Sequence, residues 1–122
     1  MKQAKRILDE YGFQAIKLKG WVFPPSPEME AIKAFNTASP GVPLRIDPNS
    51  KWTAETSKWV ARELQGVIEY FEDPAPGTEG MAAVAEEASR SLAANIAVVA
   101  FAQLPNLILQ NTVQVVLSDH HF

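Results

Sequence analysis

The sequence predicts an α/β domain in which a parallel sheet is covered by helices. Three observations lead to this prediction: strand-like apolar segments alternate with helical segments, the connections are short, and 122 residues suffice for one domain. Strands that alternate with helices form parallel sheets with right-handed crossovers. An open doubly wound sheet and part of a (β/α)8 barrel both fit, whereas a whole barrel needs about 250 residues.

Composition is that of an ordinary globular domain and excludes several classes of function. Hydrophobic residues make up 47% of the chain and charged residues 20%, which is typical of a folded protein. The net charge of −3 and the scattered basic residues argue against nucleic-acid binding. Cysteine is absent, which excludes thiolate chemistry and fits a cytoplasmic location. We expect no membrane association, because neither a secretory signal nor a bilayer-spanning apolar run is visible.

The first helix and strand are expected within the first twenty residues. Apolar residues at helical spacing predict a helix that ends at Gly12. From Ala15 to Gly20 the side chains alternate between two faces, and Lys17 and Lys19 share one of them. Two lysines on one strand face are not a core pattern.

The second helix is expected to be capped by Ser26, with Pro27 at its first position. Its inner stripe consists of Met29, Ile32 and Phe35. The next strand runs from Val42 to Pro48, and Arg45 and Asp47 share one of its faces. Arg45 could neutralise the sheet face beside Asp47 or pair with a neighbouring carboxylate, and both alternatives remain open.

The third helix is expected to be capped by Thr53 and to end at Gly66. A strand from Ile68 to Pro74 follows it directly. This strand ends in two adjacent carboxylates, Glu72 and Asp73, and then a proline. Its last side chain is therefore expected at a rim of the sheet.

The fourth helix starts at Thr78 and precedes an almost wholly apolar segment from Leu92 to Val99. Asn95 is the single polar residue of that segment, which is predicted to be a strand buried on both faces. A short helix from Leu104 and a last strand from Val113 to Asp119 complete the pattern. The large aromatic side chains of helices and loops are expected to pack on the sheet: Phe35, Trp52, Trp59 and Phe101.

Polar side chains recur at the predicted strand ends about once per βα unit. They are Lys17, Lys19, Asp47, Glu72, Asn95 and Asp119. The carboxyl ends of parallel strands meet at one rim, where ligands bind. The oxygen atoms of Asp47, Glu72 and Asn95 suit a hard octahedral cation such as Mg²⁺.

This combination of residues resembles the enolase superfamily, within it the mandelate racemase and muconate lactonizing group, and there the glucarate dehydratase-like members. The matching motifs are Lys17-Leu18-Lys19, Asp47-Pro48-Asn49, Glu72-Asp73-Pro74, Asn95 and Ser118-Asp119-His120-His121-Phe122. The resemblance implies an incomplete (β/α)8 TIM barrel of about five parallel strands with flanking helices. Residues 1–122 would form a single partial domain that carries strands 2 to 6 of the family barrel.

The resemblance also implies an activity and roles for the rim residues. Asp47, Glu72 and Asn95 would hold Mg²⁺, which would bind the carboxylate of an acid-sugar substrate. Lys19 would remove the proton next to that carboxylate, assisted by the like charge of Lys17. The cation would stabilise the enediolate, and loss of the β-hydroxyl would complete a dehydration by a carbon–oxygen lyase.

Other residues are assigned by the same resemblance. Asn49 would bind the substrate, and Asp119 would orient a catalytic histidine on the seventh strand. The chain is expected to end after the sixth strand, without the remaining strands and the capping domain. His120 and His121 are then rim or core histidines, and the chain alone is expected to have little or no activity.

A partial barrel would expose two sheet edges, at Ala15 to Gly20 and at Val113 to Asp119. We therefore expect a homo-oligomer, joined through strand edges or the exposed barrel interior. The alternative to a dehydratase fragment is a non-catalytic half-barrel that binds metal or self-associates. A flavodoxin-like signalling or nucleotide module is disfavoured, because no glycine-rich phosphate loop follows the first strand.

Overall fold

Helices and strands alternate along the computed structural model, which describes residues 2–88 and 91–119. The helices are α1 (Lys2–Tyr11), α2 (Pro25–Ala38), α3 (Ala54–Glu63), α4 (Gly77–Ala85) and α5 (Leu104–Leu109). The strands are β1 (Ile16–Lys19), β2 (Leu44–Asp47), β3 (Tyr70–Glu72), β4 (Ser91–Ala94) and β5 (Val115–Val116). A 3-10 turn at Phe101–Gln103 precedes α5. Within the described ranges no helix has both the length and the apolar character needed to cross a membrane.

The five strands form one parallel, unclosed sheet in the order β1-β2-β3-β4-β5. The prediction of about five parallel strands with flanking helices is confirmed. The register pairs Lys19 with Asp47, and Glu72 with Ala93. The carboxyl ends of the first four strands are therefore level with one another.

All helices pack against the same face of the sheet. One core cluster joins apolar side chains of the strands to those of the helices, including Leu44, Ile46, Phe71, Leu92, Ile32, Val60, Leu64, Met81 and Leu107. A doubly wound sheet would carry helices on both faces. The one-sided arrangement therefore corresponds to part of a barrel, with the opposite strand face turned toward the barrel axis.

The start of α2 differs from the prediction, whereas the cap of α3 agrees with it. Helix α2 begins at Pro25, and no side chain caps it, so the assignment of Ser26 as the cap is wrong. Pro25 and Pro27 have no backbone N–H, so the first turn has fewer donors that need a cap. Thr53 does cap α3, since its hydroxyl accepts a hydrogen bond of 3.2 Å from the N–H of Thr56.

The strand predicted from Leu92 to Val99 is wrong in its length. Strand β4 ends at Ala94, and the backbone N–H groups that follow donate to the buried carboxylate of Asp73 instead of to a neighbouring strand. Strand β5 is likewise confined to Val115–Val116. Asn95 thus lies just past a strand end and opens a turn.

Two of the four aromatic side chains expected to pack on the sheet do so. Phe35 and Trp52 are buried, and the Trp52 ring meets the Phe71 ring edge-on at 6.0 Å. Phe101 is 91% exposed, because the 3-10 turn carries it outside the core. Trp59 is exposed as well, on the outer side of α3.

Candidate metal centre

An open cleft of about 500 Å³ lies at the carboxyl end of the sheet, on the face without helices. Its lining is mostly polar on β1 to β3 and extends to the segment that follows β5. The residues that line it are Lys17, Lys19, Asp47, Glu72, Asn95, Val116, Leu117, Ser118 and Asp119. The structure thus brings the six predicted strand-end residues into one cleft, while their roles remain a prediction.

The two lysines of β1 bind the carboxylates that end β2 and β3. Lys17 Nζ lies 2.9 Å from both carboxylate oxygens of Glu72 and 3.6 Å from Asp47 Oδ2. Lys19 Nζ donates to Asp47 Oδ2 and, at 2.8 Å, to Asn49 Oδ1. Both contacts follow from the period of two along β1, which places the lysines on the same face.

Three carboxylates are buried side by side beneath these lysines. Asp47 and Asp73 are 0% exposed and Glu72 is 2% exposed. Each offers an oxygen atom, and these atoms all lie within 4.8 Å of one another. Buried like charges at this separation are costly unless cations balance them.

The pKa values at the cleft reflect burial and charge together. Burial raises the pKa of Glu72; the hydrogen bond from Lys17 opposes this and Asp47 adds to it, so that the net shift is upward. Burial lowers the pKa of Lys17, but its hydrogen bond to Glu72 and the charges of Glu72 and Asp47 outweigh burial and raise it. Lys17 therefore keeps its proton and acts as the counter-charge of the buried acids.

Asn49 belongs to the turn that follows β2 and is tied to the cleft. Its N–H donates to Asp47 Oδ1 at 2.8 Å, and its side-chain oxygen accepts from Lys19. Its φ of +50° and the +57° of Ser50 are left-handed, a conformation that asparagine tolerates better than most residues. The N–H of Ser50 donates to the carbonyl of Asp73 at 2.8 Å, which joins this turn to the end of β3.

Asn95 connects the end of β4 to the segment after β5. Its side-chain nitrogen donates to the Leu117 carbonyl at 3.2 Å and to Asp119 Oδ2 at 3.3 Å. Since the carboxamide nitrogen has these acceptors, the carboxamide oxygen is the atom that can serve a cation. Asp119 thus contacts the candidate ligand Asn95. The predictions for His120 and His121 lie outside the described residues.

The ambiguity about Arg45 is resolved by a contact below the cleft. Its Nε donates to Glu69 Oε2 at 2.7 Å, and its guanidinium lies 4.8 Å from the centre of the Tyr70 ring. The hydrogen bond to Glu69 raises the pKa of Arg45. Arg45 therefore pairs with a neighbouring carboxylate, which directly precedes β3.

Sequence reasoning missed two residues that shape the site. The Asp73 carboxylate accepts hydrogen bonds from the turn after β4, and the buried Ser57 hydroxyl of α3 donates to the carbonyl of Pro74. The pair Glu72-Asp73 was visible in the sequence as adjacent acids. Alternation along β3 gives Glu72 the same face as Tyr70, but no local pattern shows that Asp73 holds the turn after β4.

The donor chemistry of the cleft fits a hard divalent cation. All candidate ligand atoms are oxygens, three carboxylates are buried, and the rim is open on one side, as Mg²⁺ sites that retain water or substrate oxygens require. Asp47 and Glu72 belong to every plausible ligand set. The third ligand is either Asn95, as the sequence predicts, or Asp73, which completes the acidic group.

The sequence profile of the family described as Enolase C-terminal domain-like matches residues 1–122. A curated relative named "Probable glucarate dehydratase" from Streptomyces coelicolor is 52% identical over 120 residues, which are 98% of this chain and 28% of that protein. The chain therefore spans little more than a quarter of the relative's length.

Two similar solved structures contain magnesium or small acids. An enolase from Gibberella zeae PH-1, crystallised with magnesium, formate and sulfate, is 70% identical with a TM-score of 0.95, over 99% of this chain and 28% of that chain. An enolase from Mycobacterium smegmatis, crystallised with tartrate, is 59% identical with a TM-score of 0.93, over 98% and 29%.

Proposed function

This chain belongs to the Enolase C-terminal domain-like family, and we propose that it carries the cation-binding and proton-abstracting part of a glucarate-like acid-sugar dehydratase. The observation that carries the proposal is the contact of two lysines on β1 with the buried acids that end β2 and β3. Cations and hard oxygen ligands placed together in an open cleft suit an anionic, oxygen-rich substrate. The relatives' names and ligands support the same substrate class.

Asp47, Glu72 and Asn95 are the residues we propose as ligands of Mg²⁺. When bound, Mg²⁺ supplies positive charge beside the substrate carboxylate, where negative charge accumulates during proton removal. Asp119 acts on this set by accepting a hydrogen bond from the side chain of Asn95.

The two lysines differ in exposure, and this difference supports different roles. The Lys19 side chain is 54% exposed and the Lys17 side chain 39%. Lys19, whose side chain is the more exposed of the two, takes the proton next to the carboxylate when its amine is neutral. Lys17, held by Glu72, contributes charge. Asn49 lies against Lys19 and binds the substrate from the turn after β2.

Activity of the chain alone is expected to be low. Residues 1–122 span 28% of the length of the glucarate dehydratase relative, and the effects of catalytic residues that act as a unit are strongly non-additive. Proton exchange and substrate binding are therefore better readouts than complete dehydration.

The test combines binding with exchange of the substrate proton. D-Glucarate is titrated into the chain with and without Mg²⁺, and exchange of the proton next to the carboxylate is followed by NMR in D₂O. We expect binding only with Mg²⁺, loss of binding in Asp47→Asn, and loss of exchange but not of binding in Lys19→Ala. Binding that is equal with and without Mg²⁺, or exchange that survives Lys19→Ala, would contradict the proposal.

A second candidate function is self-association of a half-barrel, with or without bound metal. It is favoured by large exposed apolar side chains in the 3-10 turn, in α5 and in β5: Phe101, Leu109, Ile108 and Val116, which are 91, 84, 73 and 46% exposed. Exposed apolar side chains and an exposed strand edge are typical of contact surfaces. Sedimentation should show a dimer that Phe101→Ser weakens, and a monomer that binds no hydrophobic dye would rule this function out.

A further inference from the structure

The carboxylate of Asp73 holds the turn that begins with Asn95. Its Oδ1 accepts from the N–H of Asn95 at 3.2 Å and of Ala97 at 3.3 Å. Its Oδ2 accepts from the N–H of Asn95 at 3.1 Å and of Ile96 at 2.8 Å. Three consecutive backbone donors therefore converge on one side chain that is separated from them by a whole helix.

The backbone of Asp73 is fixed as firmly as its side chain. Its φ of +37° lies in the left-handed region, which a non-glycine residue occupies at a cost when its surroundings impose it. Its N–H donates to the carbonyl of Ala93 at 2.9 Å, and its carbonyl accepts from Ser50. The residue is thus tied to the turn after β2 and to the end of β4 at the same time.

These contacts decide between the two possible third ligands. Both oxygens of Asp73 are already occupied by N–H donors and the side chain is fully buried, so binding a cation would disrupt hydrogen bonds that no water could replace. Asn95 has a carboxamide oxygen that its own hydrogen bonds leave available. Geometric proximity alone groups Asp73 with Asp47 and Glu72.

We propose that Asp73 is a positioning residue that holds Asn95 in place as the third cation ligand and is not itself a ligand. The inference rests on the proposed function, because it assumes that the cleft binds a cation. Partners behind metal ligands commonly orient them, and their loss commonly lowers metal affinity by about 10–100-fold.

The chain contains a matched control, a second buried carboxylate that accepts three backbone N–H groups of one loop. The buried carboxylate of Glu28 accepts hydrogen bonds of 2.9, 2.7 and 2.8 Å from the N–H groups of Trp21, Val22 and Phe23, in the loop after β1. The chemistry is the same, but this loop carries none of the proposed ligands. Glu28→Gln should therefore destabilise the fold without changing the affinity for the cation.

The test is a double-mutant cycle read by metal affinity. Asp73→Asn, Asn95→Ala and the double variant are titrated with Mg²⁺ by calorimetry and with Mn²⁺ by electron paramagnetic resonance. We expect each single substitution to lower affinity by about 10–100-fold, the double variant to match Asn95→Ala, and Glu28→Gln to stay near the wild type. If Asp73 acts only through Asn95, the two effects cannot add.

Two results would overturn the proposal. Losses of affinity that multiply in the double variant would make Asp73 a ligand in its own right, and an unchanged affinity in Asp73→Asn would remove its positioning role. If Asp73→Asn does not fold, Asp73→Ser, which keeps one acceptor, takes its place in the cycle.

Hydrogen exchange separates this inference from the proposed function. Without any cation, the amides of Asn95, Ile96 and Ala97 should exchange at least about tenfold faster in Asp73→Asn than in the wild type, because one of the two acceptor oxygens becomes an NH₂ donor and the negative charge is lost. A wild-type chain that binds neither Mg²⁺ nor Mn²⁺ contradicts the proposed function. The exchange rates then decide the role of Asp73, and unprotected wild-type amides would overturn it.

Discussion

At the scale of single residues, the contacts that stabilise the buried acids of the cleft would also compete with a bound cation. Asp47 and Glu72 are buried acids whose charges repel each other, and Lys17 offsets them from β1. A divalent cation and Lys17 would therefore compete for the same carboxylates. The strand-end acids were predictable because period-two alternation and the βα repeat place them. Their partner Asp73 was not, because its hydrogen bonds join residues 22 to 24 positions apart.

Lys17→Met should weaken the fold and strengthen cation binding. The substitution leaves Glu72 buried without its counter-charge, which we expect to lower the free energy of unfolding by about 1–2 kcal/mol, since the half-exposed ammonium is partly screened by water. The same change removes a competing cation, so Mg²⁺ affinity should rise several-fold. Urea unfolding and calorimetry measure the two effects, and a parallel fall of stability and affinity would contradict this account.

The stabilising effect of Lys17 should disappear in alkaline solution. Burial acts to lower the pKa of Lys17, but Glu72 and Asp47 raise it above its ordinary value of 10.5. A group with a raised folded-state pKa stabilises fully below the unfolded value and loses this effect as pH rises through the folded value. The difference in stability between wild type and Lys17→Met in the metal-free chain should therefore be constant between neutral pH, where Glu72 is ionised, and about pH 10, and it should shrink above pH 10. A difference in stability that grows as the pH rises above about 10 would contradict this stabilising role of Lys17.

At the scale of elements, caps and buried hydrogen bonds determine where helices and strands begin and end, which the spacing of apolar residues does not show. The apolar run after Leu92 predicts one long strand, yet β4 ends at Ala94 because Asp73 takes the next three N–H groups. Helix α3 was predictable at its start, since Thr53 provides a local cap. Local signals thus predict what local contacts determine, and contacts between distant residues remain hidden.

Thr53→Ala should destabilise the chain by about 1 kcal/mol, because the N-cap hydroxyl of α3 is lost. Thr37→Ala is the matched control: its hydroxyl donates to the Lys33 carbonyl within α2, a bond that contributes little to a helix. Thermal unfolding compares the two, and Mg²⁺ affinity should be unchanged in both. Equal effects on the melting temperature would show that the cap does not matter.

At the scale of the whole molecule, helices pack on one face of the sheet, and the other face carries the candidate cleft. Helices cover one face, while β1 and β5 lie at the edges of the described sheet. The parallel order was predictable from the alternation of elements, which leaves few other topologies. The exposure of Phe101 was not, because apolar character alone does not show which surface an aromatic side chain contacts.

Titration of the metal-free chain with Mg²⁺ by calorimetry tests the proposed cation site without any catalytic step. We expect one ion per chain, with affinity reduced at least about tenfold in Asp47→Asn and in Asn95→Leu. Asp9→Asn, which changes an exposed acid on α1, should bind as the wild type does. No bound ion in the wild type, or equal affinity in all four chains, would contradict the assignment of Asp47, Glu72 and Asn95 as its ligands.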